Sequence, residues 1–313
     1  MPFSHHSHSG QFCAHAKNTL EEVIQQAVNK GFRTFALTEH IPRPNEHLYA
    51  EEVAENYSWD ILHQLFRAYL KEALRLREKY ADKISILIGF ESEFVTPNYV
   101  GLVEDILNYG ICSDDDVSQR SDFNFYMGSI HHVKTIPIDF SKELYVEARD
   151  ACGGTDVDLF CIFFDEQYEL LQRLKPPVVG HFDLIRLYSN NPNGSIRALG
   201  SAVWSKVIRN LQFAADNGLI LEVNSSALRK GMDEPYPCVE IMQEYLRMKG
   251  RFTLSDDSHG IDQVGLNYPK AVRAMKAAGV GEIQVVTTDS TVSDMKTDCV
   301  PLSEVEALLE TSL

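Results

Sequence analysis

Histidine supplies the first chemistry in this sequence. His6 and His8 stand two residues apart in the run S-H-H-S-H-S-G, and His15 follows a short step later. Side chains on an extended segment alternate with a period of two, so the imidazoles of an H-x-H point to one side. Both can reach one ion, and neutral imidazole suits Zn, Fe, Mn or Cu better than Ca or Mg. The competing reading is an expression tag or a His-rich tail. A tag is normally an uninterrupted His run with a linker, whereas Ser7 breaks this one and a helix signal follows directly.

Further metal-ligand types recur at the ends of short β-rich runs. Residues 34–37 lead into Thr38-Glu39-His40, and residues 84–89 into Phe90-Glu91-Ser92-Glu93. Residues 123–128 lead into Ser129-Ile130-His131-His132, and residues 177–180 into His181, Asp183 and Arg186. Residues 219–223 lead into Asn224 and Arg229, and residues 251–254 into Ser255-Asp256-Asp257-Ser258-His259. Amphipathic stretches separate these runs. Asn18 or Thr19 can cap a helix carrying Leu20, Val23, Ile24, Ala27 and Val28 at helical spacing, with Gly31 ending it. Residues 58–80 predict one long helix, and shorter ones are expected near 100–108, 156–174, 203–217 and 238–248. A last unit over 282–288, followed by a C-terminal helix, carries no ligand set. Residues 112–122, with Asp114-Asp115-Asp116, read as an acidic surface loop, and polar residues 139–154 as an insertion near a pocket mouth.

Strands alternating with helices imply a parallel sheet with right-handed crossovers. An open sheet would gather its site at one switch point, using one or two loops. Here nearly every strand end is chemically loaded, which a closed barrel explains better. The expectation is an α/β chain forming a distorted barrel of about seven strands, with its site at the C-terminal strand ends. No linker divides the chain, so residues 1–313 are expected to form a single domain.

Composition narrows the function. A net charge of -16 disfavours a nucleic-acid backbone binder, which needs a basic patch. It permits a small anionic substrate where cations and a few arginines reverse the local sign. No apolar run approaches the roughly 20 residues that span a bilayer. The start lacks a secretory pattern, and the six cysteines contain no C-x-x-C. Reduced thiols, a cytoplasmic location and no membrane partner are the expectation.

Collected together, the strand ends offer His6, His8, His15, His40, Glu91, His131, His181, Asp257 and His259. A single histidine at a strand end is usually structural. Seven of the chain's 11, joined by two carboxylates, would need an independent structural explanation each. Such clusters suit multinuclear hydrolytic centres, in which one carboxylate can bridge cations roughly 3.5–4 Å apart.

The motifs H-x-H, T-E-H, G-F-E-S-E-F, G-S-I-H-H, G-H-F-D-L, L-E-V-N-S-S-A-L-R and S-D-D-S-H occur in that order from residue 6 to 259. In this set the chain resembles the PHP (polymerase and histidinol phosphatase) family, and within it the monofunctional histidinol-phosphate phosphatases. The resemblance implies a distorted (β/α)7 TIM-like barrel, the PHP fold, binding two to three divalent ions in some mixture of Zn, Fe and Mn. It implies one ion on His6, His8, Glu91 and Asp257. A second would lie on Glu91, His131 and His181, and a third on His15, His40 and His259. Glu91, Asp257 and His131 would then carry catalysis. Two features depart from the pattern or blur it: Ser4 stands where the family often has an acid, and His5 and Asp256 crowd the neighbouring ligand positions.

The implied reaction is hydrolysis of L-histidinol phosphate to L-histidinol and phosphate, in histidine biosynthesis. Arg186 and Arg229 are the expected phosphate ligands, because guanidinium forks fit phosphate oxygens, with Lys230 a weaker candidate. Asn224, Glu93 and His132 complete the expected substrate-binding set, and Glu93 and Asp183 are the guesses for the amine and imidazole. Cys13 reads as a buried hydrophobe rather than a ligand. The rival activities are hydrolysis of another small phosphomonoester and a PHP exonuclease. An amidohydrolase-type barrel, which would want a bridging Lys, and a non-catalytic metal-binding scaffold are weaker rivals.

Overall fold

The structure, a computed structural model, describes residues 2–109 and 123–310. The acidic run at Asp114–Asp116 therefore lies outside the described residues. In chain order the strands are β1 (Phe3–Ser4), β2 (Thr34–Leu37), β3 (Ser85–Ile88), β4 (Glu91–Glu93), β5 (Met127–Ser129), β6 (His132–Val133), β7 (Ile136–Pro137), β8 (Val178–Val179), β9 (Ile220–Asn224), β10 (Arg251–Ser255), β11 (Glu282–Val286) and β12 (Thr297–Pro301). The helices are α1 (Leu20–Asn29), α2 (Ala50–Ala54), α3 (Trp59–Lys79), α4 (Pro97–Tyr109), α5 (Lys142–Cys152), α6 (Asp156–Leu174), α7 (Ser201–Asp216), α8 (Ser226–Arg229), α9 (Val239–Arg247), α10 (Tyr268–Ala278) and α11 (Leu302–Glu310).

Two parallel sheets carry the architecture, β1-β2-β3 and β4-β5-β8-β9-β10 in spatial order. A few backbone hydrogen bonds link them at both margins. Gly89 N donates to Leu37 O and Glu91 N to Glu39 O, while Ile41 N donates back to Glu91 O. The Tyr69 hydroxyl lies 2.8 Å from Leu37 O and 2.7 Å from Gly89 O, within reach of both strand ends where they leave the core. At the other margin His5 N donates to Leu254 O and His8 N to Ser258 O, which seats the first strand beside β10.

Helices follow the expected signals closely. Thr19, not Asn18, caps α1: its hydroxyl accepts from Glu22 N while the Glu22 carboxylate accepts from Thr19 N. Such a reciprocal cap stabilises by about 1 kcal/mol. Ser58 caps α3, whose Leu62, Phe66, Tyr69, Leu70, Ala73 and Leu76 are buried at a spacing of three and four.

Two expectations are corrected and a third gains detail. The run 123–128 is strand only from Met127, because Asn124 turns inward, its Oδ1 accepting from Ile88 N and its Nδ2 donating to Thr288 O and Ser290 O. The polar stretch 139–154 contains α5, capped by Ser141, and its first residues, Asp139 and Phe140, line the central cavity. The terminal unit is an antiparallel pair, β11 with β12, rather than a further parallel strand. Helix α10 was not anticipated, although Pro269 in its first turn and Gly279 at its end mark it.

The β6–β7 hairpin turns through Lys134 and Thr135, both at positive φ (48° and 68°). Neither is the glycine or asparagine that such a turn favours. Glu166 on α6 supports it by accepting from Lys134 N at 3.2 Å. Burial pushes the Glu166 carboxyl up to about 7, with the Lys134 amide and charge opposing and Glu169 and Asp165 adding to the rise. Over the window from the ordinary carboxylate value to about 7, the folded chain holds a proton that the unfolded chain releases. Stability therefore falls as pH rises through that window. Glu166→Gln is expected to raise the melting temperature at pH 8 and leave it nearly unchanged at pH 5. Equal shifts at both pH values in thermal unfolding would refute this.

Candidate metal centre

The H-x-H lies just past β1, with the backbone in the register the alternation predicts. His6 and His8 face the strand ends, while His5 points the other way into the core. His5 is buried, its Nδ1 within 2.8 Å of Thr253 Oγ1 and its Nε2 accepting from Val286 N, and burial lowers its pKa to about 4. It is structural, which removes the ambiguity of register. Close packing of neighbouring strands sets the far wall. Gly180 N donates to Gly128 O, and a Cβ at Gly180 would collide with Ser129 Oγ. That approach brings His131 and His181 together past the ends of β5 and β8.

Glu91 is the hub. Its Oε2 lies 3.3 Å from His6 Nε2, 3.4 Å from His8 Nε2 and 3.2 Å from His40 Nδ1. Its Oε1 lies 3.5 Å from His131 Nε2 and 3.2 Å from His181 Nε2. Asp257 Oδ1 closes the first side at 3.6 Å from His6 Nε2 and 3.7 Å from His8 Nε2. Three groups of donor atoms converge: His6, His8 and Asp257; Glu91, His131 and His181; and His8, Cys13, His40 and His259. The first two match the expected groupings, with Glu91 adjoining both. In the third, Cys13 and His8 stand where His15 was expected. His15 is adjacent, its ring centroid 5.0 Å from His259 and its Nε2 3.3 Å from Cys13 Sγ. Cys13 Sγ thus stands among the candidate donor atoms, although burial pushes its thiol well above the ordinary range.

The donors fit cations rather than one another. His6 Nε2 and His8 Nε2 face each other at 3.0 Å, and His131 Nε2 and His181 Nε2 at 3.1 Å. Neutral imidazoles meeting through two lone pairs repel unless a proton or a cation stands between them. Glu91 Oε1, His8 Nδ1, His40 Nε2, His131 Nδ1 and His181 Nδ1 are buried without a hydrogen-bond partner among the described residues. Burial alone would raise Glu91 and lower His6. Instead His6 and His131 hold Glu91 well below the carboxylate range, and Asp257, Glu222 and Glu91 hold His6 well above the imidazole range. The nest attracts positive charge, and imidazole with carboxylate is the donor chemistry of Zn, Fe and Mn.

A supporting layer went unseen in the sequence. Glu222, fully buried on β9, sits with Oε1 2.7 Å from His6 Nδ1 and accepts from His181 N at 2.7 Å and from Ser255 Oγ. A proton on His6 Nδ1 leaves the Nε2 lone pair directed at the centre. Asn224 donates to Glu222 Oε2 (3.1 Å) and Asp257 Oδ2 (3.3 Å), so it orients acids rather than lining the cavity. Asp256 turns away, accepting from Ser4 Oγ and Gly265 N, which leaves Asp257 as the inward acid. Asp257 itself adopts a left-handed backbone, φ 48°.

Glu93 and His132 lie behind the cavity wall. Glu93 lies 3.0 Å from His132 Nδ1 and accepts from Arg43 Nη1 at 3.3 Å and the Tyr49 hydroxyl at 3.4 Å. Arg43, 1% exposed, also binds Glu52 and lies 3.9 Å from the Tyr49 ring centroid. Arg186 is likewise removed: its Nη1 binds Asp183 Oδ2 at 2.7 Å, and it lines a separate cavity by α6. The short spacing of i and i+3 in a 3-10 turn favours that internal pair over the pocket. Arg229 does reach the central cavity, of about 380 Å³. His15, His40, Tyr49, Glu51, Glu91, His131, Asp139, Phe140, His181, Lys230, Asp257 and His259 line it too.

A buried, carboxylate-centred histidine nest on an α/β scaffold is the arrangement of a metal-dependent hydrolase. Residues 4–226 match the PHP domain. The chain is 40% identical over 287 residues to the probable histidinol-phosphatase of Schizosaccharomyces pombe, covering 91% of this chain and 90% of that one. It is 34% identical to the histidinol-phosphatase of Saccharomyces cerevisiae, covering 85% and 86%. A crystal structure of histidinol phosphate phosphatase from Lactococcus lactis, complexed with zinc, L-histidinol and phosphate, superposes with a TM-score of 0.67. That match is 19% identical in sequence and covers 95% of this chain and 98% of the other. The chain belongs to the PHP family.

Proposed function

We propose that this chain hydrolyses L-histidinol phosphate to L-histidinol and inorganic phosphate, a step of histidine biosynthesis. The observation that carries the reading is Glu91, placed between two histidine groups at the floor of a cavity that also exposes Arg229. The names of the yeast relatives supply the substrate.

The residues fit two to three divalent ions, drawn from Zn, Fe and Mn, held by His6, His8, Glu91 and Asp257, by Glu91, His131 and His181, and by His40 and His259 with His15 or Cys13. Cations held there supply Lewis-acid polarisation of phosphoryl oxygens and make a water acidic enough to ionise near neutral pH. The chain's own part is to position and to balance charge. Glu222 fixes the His6 tautomer, and Asn224 orients Asp257. Arg229 donates to Asp256 O and Asp257 O at 2.9 and 2.8 Å, which locks its plane and leaves its other N–H groups for phosphate. Lys230 adds a second positive charge at the rim. Charge neutralisation and positioning are where phosphoryl-transfer catalysis mainly lies.

The same reading treats the strands as one distorted (β/α)7 barrel within a single domain over 1–313. Gly89 and Phe90 alone separate β3 from β4, and the residues after β1 bond to β10 and to the segment after it, which supports a closed ring. No described helix is long and apolar enough to cross a membrane. A cytoplasmic enzyme acting on a small phosphomonoester, without nucleic acid or membrane partners, accords with the acidic balance.

Phosphate release from a panel of phosphomonoesters, with metal counted on the same sample, tests the reading. The expected result is a kcat/KM for histidinol phosphate at least about a hundredfold above the others, with two to three ions bound. Uniform weak turnover across the panel would leave a phosphoesterase of another substrate. Bound metal without any phosphate release would overturn the phosphatase assignment.

A further inference from the structure

The cavity above Glu91 is chemically divided. The segment after β9 brings Arg229 and Lys230 to its lining. The segments after β2 and β7 bring two carboxylates and two aromatic rings: Tyr49 and Glu51, then Asp139 and Phe140. A cavity built only to hold phosphate and cations has no use for carboxylates beyond the ligand set, since they repel the anion.

These two acids are also uncommitted. Glu51 Oε2 is a buried atom without a hydrogen-bond partner, and no hydrogen bond or ion pair engages the Asp139 carboxylate among the described residues. The other acids near the site already have protein partners, Glu39 accepting from Ser9 N and Oγ. Glu93 serves Arg43, Tyr49 and His132, and Asp183 serves Arg186 and the Cys238 amide. A carboxylate at a cavity wall without a protein partner is open to a cationic ligand. The wall itself is firm. The Tyr49 ring stacks on His132 at 5.6 Å with an interplanar angle of 7°, and the Arg43 guanidinium backs it at 3.9 Å. Phe140, 45% exposed, forms an apolar edge at the mouth.

We propose that Glu51 and Asp139 are specificity-determining residues that receive the ammonium group of the substrate, while Arg229 and Lys230 receive its phosphate. This assignment rests on the phosphatase reading above and deepens it. The site then selects a phosphomonoester carrying a positive charge close to the ester, with Tyr49 and Phe140 flanking its ring. It replaces the sequence-based guess of Glu93 and Asp183 for that task.

The test compares L-histidinol phosphate with 3-(imidazol-4-yl)propyl phosphate, the same ester lacking only the amine. Wild-type protein is expected to prefer the amine-bearing ester by about a hundredfold in kcat/KM. In the double variant Glu51→Gln, Asp139→Asn the preference should collapse to within about threefold. The charge-preserving pair Glu51→Asp, Asp139→Glu should keep most of it. Metal content and melting temperature of each variant report whether the centre is intact. A double variant that is folded, metal-loaded and still selective overturns the assignment. So does a wild-type enzyme that hydrolyses both esters equally well, although it leaves the phosphatase reading standing. A wild-type protein that hydrolyses neither ester fails at the earlier step, and the assignment falls with it.

Discussion

Replacing Glu91 by glutamine is expected to lower kcat/KM by at least about a thousandfold and to strip metal from the same preparation. The carboxylate reaches five imidazoles through its two oxygens, at 3.2 to 3.5 Å. Glutamine keeps the shape and one acceptor but loses the negative charge and the second oxygen's lone pairs. Two ion sites would therefore be weakened by a single substitution. Metal content measured beside activity separates this cause from a loss of substrate binding. A variant retaining both full metal and turnover within tenfold of wild type would remove Glu91 from the centre and falsify the grouping proposed here.

The second large effect concerns stability. Arg43→Met should destabilise the fold by about 3–5 kcal/mol, because it leaves two buried carboxylates, Glu52 and Glu93, without their shared counter-charge. Methionine fills comparable volume, so a cavity is not the main cost. Burial already pushes the Glu52 carboxyl up against the pull of Arg43, and losing the guanidinium removes that pull. Adding Glu52→Gln to Arg43→Met should recover part of the loss, since one unpaired charge is then gone. Urea unfolding of the two variants and wild type reads both effects. Additive losses in the double variant would show that the two side chains act independently.

The candidate histidines were legible because most stand at the end of a short β-rich run, and the parallel order of those runs follows from the alternation with helices. Their grouping around Glu91 came from the family resemblance, not from residue type and position. The supporting residues were not legible. Glu222 sits inside I-L-E-V-N, where a lone acid in an apolar run gives no hint of a partner 216 residues away. Arg43 lies in a Pro-rich loop after T-E-H, and its burial depends on α2 folding over it. Arg186 misled for the opposite reason: its distance from a loaded strand end suggested the pocket, while its local turn places Asp183 within reach first. The roles assigned to Asn224, Glu93 and His132 shifted similarly, from lining to backing, because adjacency in sequence does not say which face of a strand end is open. The thiol of Cys13 carried a weak signal, two residues before His15, that only packing resolves.

Asp257 takes up its position in a left-handed backbone, a conformation that costs an ordinary side chain on the order of 1–3 kcal/mol. Glycine would relieve that strain and remove the carboxylate with it. Directed evolution for heat resistance alone would therefore be drawn toward an exchange that takes a carboxylate out of the proposed centre, and any such campaign on this scaffold needs turnover as a parallel selection.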